Sequence, residues 1–392
     1  MVAKHRIAIY SQDGLGLGHL RRNTVISQHL LETDKDATIL LITDSPVAPF
    51  FKLPHGMDFI KLPSIHKPAP GRWEPTHLGV SGLNLLQLRT NILCSTFVSY
   101  RPDLLLVDHM PAGANGELLP AIEALKQAHS GCRVVLGLRD ILDARKVIKT
   151  RWELDGAYDV LRHHFDRVLI YGSSHVFDTA RVYDLPAPPG GIHYCGYVAN
   201  AGPVQPKEKI RRSLGVDGQR LVFVSAGGGA DSQFLMRSYL RAVRLLGARA
   251  DFTTLMAVGV NAPASIYREL EEEASGLPVR LIRHVEDSLS HLAAADMVVC
   301  MAGYNTLSEV LHLRDKALVV PRSGPSAEQR IRAGLFARRG LIDALDPSDV
   351  SPESLAQRLL ADLQRNDYPA SDRTFETQGA RRASNHLLEL IQ

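Results

Sequence analysis

Short apolar runs recur along the chain and alternate with stretches of helical periodicity. In the first half the runs are Arg6–Ser11, Ala37–Thr43, Asp103–Val107, Arg133–Leu138 and Arg167–Tyr171. Each is rich in Val, Ile and Leu and continuous rather than alternating, the pattern of parallel strands covered on both faces. Helical patterns over Leu20–Leu31 and Leu118–Ala128 lie between them, and Leu83–Tyr100 reads as a mixed apolar helix. Leu53–Thr76, rich in Pro, Gly and His, predicts a long surface loop; such loops in compact domains often carry function.

The alternation breaks at Tyr197–Pro206, where Ala, Gly and Pro dominate, and resumes after a helical segment at Lys207–Ser213. That break predicts an interdomain linker. The second series of strands is Leu221–Ser225, Phe252–Val258, Val279–His284, Met297–Met301 and Ala317–Pro321. Helices are expected at Gln233–Leu246, Ser265–Ser275, Ser288–Ala295, Thr306–Leu313, Glu328–Arg338 and Pro352–Arg365, with a last one at Asp372–Ile391. Two βα series of similar size predict an α/β protein of two Rossmann-like, doubly wound domains facing a cleft. The expected boundaries are 1–198, 207–371 and a terminal helical segment 372–392.

Composition narrows the class without changing it. At 392 residues the chain is too long for one common core. Basic and acidic residues nearly balance, 45 against 42, which gives no bulk electrostatic case for nucleic acid. The four cysteines, Cys94, Cys132, Cys195 and Cys300, are scattered and form no CxxC pair, so neither a zinc site nor a disulfide framework is expected. No apolar run approaches a membrane span, and the start of the sequence has no signal-peptide pattern. A cytoplasmic protein is the expectation.

In an open parallel sheet, ligands bind outside the carboxyl ends of the strands. The residues there are the candidates. After the first strand comes Gly14-Leu15-Gly16-Leu17-Gly18-His19-Leu20-Arg21-Arg22. Glycines at this junction let backbone approach a phosphate closely, although the spacing is not the dinucleotide GxGxxG. His19 at the helix start suits a general base working near neutral pH, and equally a helix-cap histidine. Asp108 and His109 end another strand, and a carboxylate there is placed to hold the imidazole in its useful tautomer. Arg139 and Asp140 end the next, as acceptor contacts or a local ion pair. Gly227, Gly228 and Gly229 repeat the glycine turn in the second half, placed to receive a diphosphate.

The stretch Val298–Arg332 carries two strand ends and two helix starts in succession. Thr306-x-x-Glu309 and Ser326-x-x-Gln329 both fit capping boxes. The same first turns would present Glu309 and Glu328 to ribose and sugar hydroxyls, and the two readings are not exclusive. Asp34-Lys35-Asp36 has the letters of a metal-binding DxD but lies at the wrong edge of the sheet, so no metal is inferred.

Taken together these motifs resemble the GT-B glycosyltransferases, especially family 28, which includes the N-acetylglucosaminyltransferase of peptidoglycan synthesis. The likeness covers nearly the whole chain through short motifs: Gly14 to His19, Ala226 to Gly229, Val285-Glu286-Asp287 with Ala295 to Val299, Gly303-Tyr304-Asn305-Thr306-x-x-Glu309, and Pro321 through Glu328-Gln329. The resemblance implies inverting, metal-independent transfer from a nucleoside-diphosphate sugar, a co-substrate rather than a cofactor, with uridine favoured by analogy. His19 would take the acceptor proton, with Asp108 behind it. Gly16, Gly18 and Gly227–Gly229, with Gly303, Asn305 and Thr306, would hold the donor phosphates. The backbone near Val285 would meet the base, Glu309 the ribose, and Glu328 with Gln329 the sugar. Arg21, Arg22, His109, Arg139 and Asp140 would face the acceptor. The helix from Asp372 would cross back onto the first domain. Leu15 and Leu17 depart from the small polar residues of the peptidoglycan enzyme, and Leu53–Thr76 does not align, so a different acceptor is expected, a small molecule or a lipid-linked glycan. The apolar helix Leu83–Tyr100 is either core or a face for a lipid-linked acceptor, which leaves peripheral membrane attachment open. The rivals are a nucleotide-sugar 2-epimerase or hydrolase of the same fold, and a catalytically silent binding subunit.

Overall fold

The computed structural model describes residues 4–13, 18–50, 52–69, 72–229, 231–371 and 375–392. The chain forms two compact units, Met1–Val198 with Thr374–Gln392, and Ala199–Arg373.

The strands are β1 (His5–Ser11), β2 (Ala37–Thr43), β3 (Met57–Lys61), β4 (Ile65–Ala69), β5 (Arg72–Pro75), β6 (Leu104–Asp108), β7 (Arg133–Arg139), β8 (Arg167–Tyr171), β9 (Ile192–Tyr194), β10 (Arg220–Ser225), β11 (Phe252–Ala257), β12 (Val279–Ile282), β13 (Met297–Cys300), β14 (Ala317–Val319) and β15 (Asp343–Ala344). In the first unit seven parallel strands run in the order β3-β2-β1-β6-β7-β8-β9. Six run β12-β11-β10-β13-β14-β15 in the second. The continuous apolar strands become the sheet centres: Ile7 to Tyr10 of β1 and Leu104 to Val107 of β6 are wholly buried. Parallel neighbours bring Ser11 beside Asp108, and Ser225 beside Cys300.

Both orders reverse direction beside the first strand of the unit. At such a reversal the loops leaving two adjacent strands turn to opposite faces of the sheet and open a crevice. The first unit has its reversal between β1 and β6, the second between β10 and β13.

The stretch expected as a long loop, Leu53–Thr76, is not one. It contains β3, which pairs in parallel with β2 from Ile39↔Met57 to Thr43↔Lys61, and the antiparallel hairpin β4–β5. Its short strands are punctuated by Pro54, Gly56, Pro63 and Pro68, and β3 is an edge strand whose residues are mostly half-buried. Neither gives the long apolar run that marked the central strands.

Gly82–Tyr100 forms one helix whose buried residues, Leu85, Arg89, Leu93 and Phe97, recur every four. Leu83, Leu88 and Val98 are exposed on its other side. Among the described residues no helix is long and apolar enough to cross a membrane. The terminal helix Gly379–Leu388 belongs to the first unit. There the Ser384 hydroxyl donates to the Ile26 carbonyl at 3.2 Å, Arg167 donates to the His386 carbonyl at 2.6 Å, and Phe375 stacks on Tyr197 with centroids 4.1 Å apart.

Candidate active site

At the reversal point of the first unit, the helix Gly18–Thr33 follows β1 and carries His19 in its first turn. Its Nδ1 lies 2.9 Å from Oδ2 of Asp108, the last residue of β6. Asp108 is fully buried and receives further hydrogen bonds from Arg22 Nη2, at 2.7 Å to Oδ1 and 2.8 Å to Oδ2, and from Asn23 Nδ2 at 2.8 Å. Burial opposes its charge, but Arg22 first and then His19 hold the carboxyl well below the usual range. Arg22 Nη2 also approaches His19 Nδ1 at 2.7 Å. The two contacts at that nitrogen need different proton positions. An Nδ1–H donates to Asp108, whereas a bare Nδ1 accepts from Arg22.

His109 stacks on His19, ring centroids 4.2 Å apart and 22° from parallel. Its backbone sits at φ +64°, a left-handed conformation that non-glycine residues seldom adopt. Burial, then the neighbouring His19, pushes its imidazole well below the ordinary histidine range, so it is neutral. Among the described residues, His19, Asp108 and His109 form the one group of three whose atoms lie close enough to hold a metal ion. The Arg22 guanidinium already occupies both Asp108 oxygens, which suits an ion-paired cluster better than a cation nest.

The other expected residues of this unit separate. Gly16 lies outside the described residues, with Gly14, Leu15 and Leu17; Gly18 opens the helix. Arg22, expected toward the acceptor, is instead only 2% exposed, its guanidinium 5.3 Å over the Tyr171 ring. Arg21, one residue earlier, is half-exposed. Arg139 ends β7, and Asp140 is buried, with Oδ1 accepting from the Ile141 N–H and its carbonyl accepting from the Thr179 hydroxyl.

Other buried charges here carry weaker signals. Asp13 closes the span across residues 14–17: its Oδ2 accepts from the Leu20 N–H at 2.8 Å and its own N–H donates to Asp44 Oδ1 at 2.7 Å. Burial pushes its carboxyl up to about 6. Asp44 lies 3.7 Å from Arg89, which grips Glu117 through Nε at 2.5 Å and Nη2 at 2.6 Å; Tyr10 donates to the same carboxylate at 2.6 Å. Beside this pair is a small hollow, open to solvent, walled by Ile65, Trp73 and Leu85. The readable signal for Arg89 was a cation on the four-spaced apolar stripe of its helix. Asp13 had none beyond its place before the glycines.

The second unit is built from backbone. Gly227 and Gly229 take φ of +68° and +89°. A Cβ on Gly229 would sit 2.4 Å from the Val258 carbonyl, and one on Gly259 2.6 Å from Gly228, so the turns after β10 and β11 are packed main chain to main chain. Beside them the helix Tyr304–Leu313 opens with Gly303 as N-cap and no side-chain cap. The expected Thr306 capping box is therefore absent, because the helix begins two residues earlier. Asn305 and Thr306 fall in its first turn, and Glu309, 3% exposed, moves to the second.

The helix Glu328–Arg338 likewise has Ala327 as N-cap. Ser326 Oγ accepts from the Glu328 N–H at 3.2 Å, while Gln329 Oε1 turns away to accept from the Arg322 N–H at 3.1 Å. The second capping box is thus replaced by a brace on residues 322–329. Glu328, expected on the sugar, is 3% exposed and ion-paired with Arg332 at 2.8 Å; Arg332 also donates to the Ala302 carbonyl at 2.9 Å. Arg322 pairs with Asp231 at 3.4 Å, tying this segment to the region just after the glycine turn. Val285 is half-buried, two residues before Asp287, which caps the next helix by accepting from the Ser290 N–H.

Two reversal points of the same strand order, a buried histidine–aspartate pair in one unit and a glycine turn with adjoining helix starts in the other, define a class, the two-domain GT-B fold. Residues 221–387 match the family model of the glycosyltransferase family 28 C-terminal domain. An uncharacterized glycosyltransferase of Methanopyrus kandleri is 27% identical over 206 residues, 52% of this chain and 55% of that protein. The UDP-N-acetylglucosamine–N-acetylmuramyl-(pentapeptide) pyrophosphoryl-undecaprenol N-acetylglucosamine transferase of Paenarthrobacter aurescens is 29% identical over 186 residues, 46% and 48% of the two chains. The chain thus spans about half the length of the curated relatives it matches. In three dimensions it resembles the crystal structure of the glycotransferase of kitacinnamycin, with a TM-score of 0.64 at 16% identity and 99% of both chains covered. The chain has the GT-B fold, and its residues 221–387 are similar to the family 28 C-terminal domain.

Proposed function

We propose that the protein is a glycosyltransferase that moves a sugar from a nucleoside-diphosphate sugar, with uridine the favoured base, to an acceptor hydroxyl or amine. The transfer is inverting and needs no metal ion. The observation that carries this reading is the His19–Asp108 pair at the carboxyl edge of the first sheet. With Nδ1–H turned to Asp108, Nε2 is bare and accepts the acceptor proton as the acceptor oxygen attacks the anomeric carbon. The bond from that carbon to the diphosphate breaks, and the diphosphate leaves with the electron pair.

Gly227–Gly229 and the uncapped first turn at Gly303, Asn305 and Thr306 offer N–H groups to that developing charge. Glu309 takes the ribose, the backbone at Val285 the base, and Gln329, through its free amide end, the sugar. Glu328 supports them through Arg332. The acceptor, a small molecule or a lipid-linked glycan, lies among Arg21, His109 and Arg139, and the enzyme works in the cytoplasm or on the membrane surface.

The test begins with nucleotide binding. Thermal unfolding against UDP, GDP, ADP, dTDP and CDP picks out the base. Transfer is then assayed in EDTA with His19→Ala beside the parent. Transfer is expected to fall by about 10²–10⁴-fold with the UDP-dependent rise in Tm kept. Equal turnover in the variant removes His19 as the base. Donor consumed without acceptor replaces transfer by hydrolysis or epimerisation, and the absence of any nucleotide effect leaves a silent binding subunit.

A further inference from the structure

A histidine–aspartate pair alone makes a strong base, because the carboxylate stabilises the imidazolium that forms. Here the carboxylate is shared. Asp108 receives Arg22 at both oxygens and Asn23 at one, besides His19. Its negative charge is offset before the imidazole gains a proton. Arg22 sits three residues after His19 on one helix turn, so ring and guanidinium move together. It is nearly fully buried and backed by the Tyr171 ring, so solvent screens little of its charge.

We propose that Arg22 is a positioning residue that sets how strongly Asp108 backs His19 by sharing that carboxylate with it. This rests on the reading of His19 as the base. Once His19 takes the acceptor proton, two cations flank one carboxylate, so less of the Asp108 charge is left to the ring than in a simple pair.

The other ionisable groups around His19 do not supply this. From the end of β1 comes Asp13, with Asp44 behind it. From β6 and its loop come Asp108 and the neutral His109, on which Arg139 at the end of β7 also acts. Arg21, on the same helix, is half-buried. Arg22 lies within hydrogen-bond distance of both members of the pair, 2.7 Å from His19 Nδ1 and 2.7 Å from Asp108 Oδ1.

The test reads the ring directly. In the full chain labelled at histidine ¹³Cε1, the His19 resonance is identified by its loss in His19→Gln and titrated by NMR. Arg22→Gln keeps a donor to Asp108 and removes the charge; its His19 pKa is expected to rise by about 1–2 units. Arg22→Lys keeps the charge and is expected to stay near the parent. Arg22→Met tests loss of both, and if it does not fold, the Gln–Lys comparison still decides. The acid limb of the kcat/KM profile is expected to move up with the titration in Arg22→Gln. A structural role alone would lower the rate at every pH with the limb in place. Equal His19 titrations in the parent, Arg22→Gln and Arg22→Lys overturn the proposal and leave His19 standing as base. Full transfer by His19→Ala overturns the base assignment instead, with the NMR result intact.

Discussion

The two units share a strand order and a reversal point, yet they furnish those points with opposite materials. In the first, the crevice is lined by buried charge in two sets: Asp13 bonded to Asp44, which faces Arg89, and Asp108 paired with Arg22. In the second, the corresponding turn is glycine backbone packed on backbone, beside helix starts without side-chain caps. Proton transfer needs side chains whose charge is tuned by neighbours. Holding a diphosphate needs N–H groups and room for main chain to come close. Under the proposed function, the comparison separates a chemical half from a binding half on one topology.

The sharpest way to break that contrast is to unbalance the buried pair of the second unit. Arg332→Met removes the guanidinium 2.8 Å from the buried Glu328 carboxylate, which Arg322 faces at 4.0 Å, and is expected to cost about 3–5 kcal/mol of stability. Urea unfolding of the variant checks it; a loss below about 1 kcal/mol means the pair is solvent-screened. Gly229→Ala comes next. Its Cβ meets the Val258 carbonyl in a conformation that L-residues seldom adopt, so a loss of about 1–3 kcal/mol is expected, with weaker nucleotide binding. Normal UDP affinity in a folded Gly229→Ala would deny the backbone its role.

The smallest effect belongs to the first unit. Asp13 holds its proton up to about 6 in the fold, against an ordinary 3.8. A raised folded-state pKa contributes stability that is complete below about pH 4 and lost as pH rises through 6. Asp13→Asn should flatten this fall, by roughly 2 kcal/mol between pH 4 and 7. An unchanged slope in pH-dependent unfolding would place the proton elsewhere.

The sheet centres were legible because parallel strands covered on both faces must be apolar throughout, as β1, β6, β10 and β13 are. Of the four edge strands only β12 was legible: β3 is half-buried, β9 and β15 are two or three residues long, and those three have no run to read. His19, Asp108 and Gly227–Gly229 were legible as candidates because strand ends mark a crevice whatever the chemistry. The capping patterns matched by letters and misled in two ways. The first helix opens at Tyr304 behind Gly303, so Thr306 already lies inside it, whereas the second opens at Glu328 as expected but with Ala327 rather than Ser326 as its N-cap. Arg22 was assigned to the acceptor side because a helix beginning His-Leu-Arg-Arg does not reveal which arginine faces the sheet. That depends on the approach of β6, which arrives some ninety positions later in the chain.

One consequence concerns the order in which the molecule is made. The sheet of the first unit leaves the ribosome before any of the second, but the helix Gly379–Leu388 that packs onto it comes last. Domains generally fold as they emerge. Here the second unit is complete while the first still lacks a wall, with the Ile26 carbonyl and the Arg167 guanidinium waiting for Ser384 and His386. The half that holds the histidine–aspartate pair is the first to be synthesised and the last to be finished.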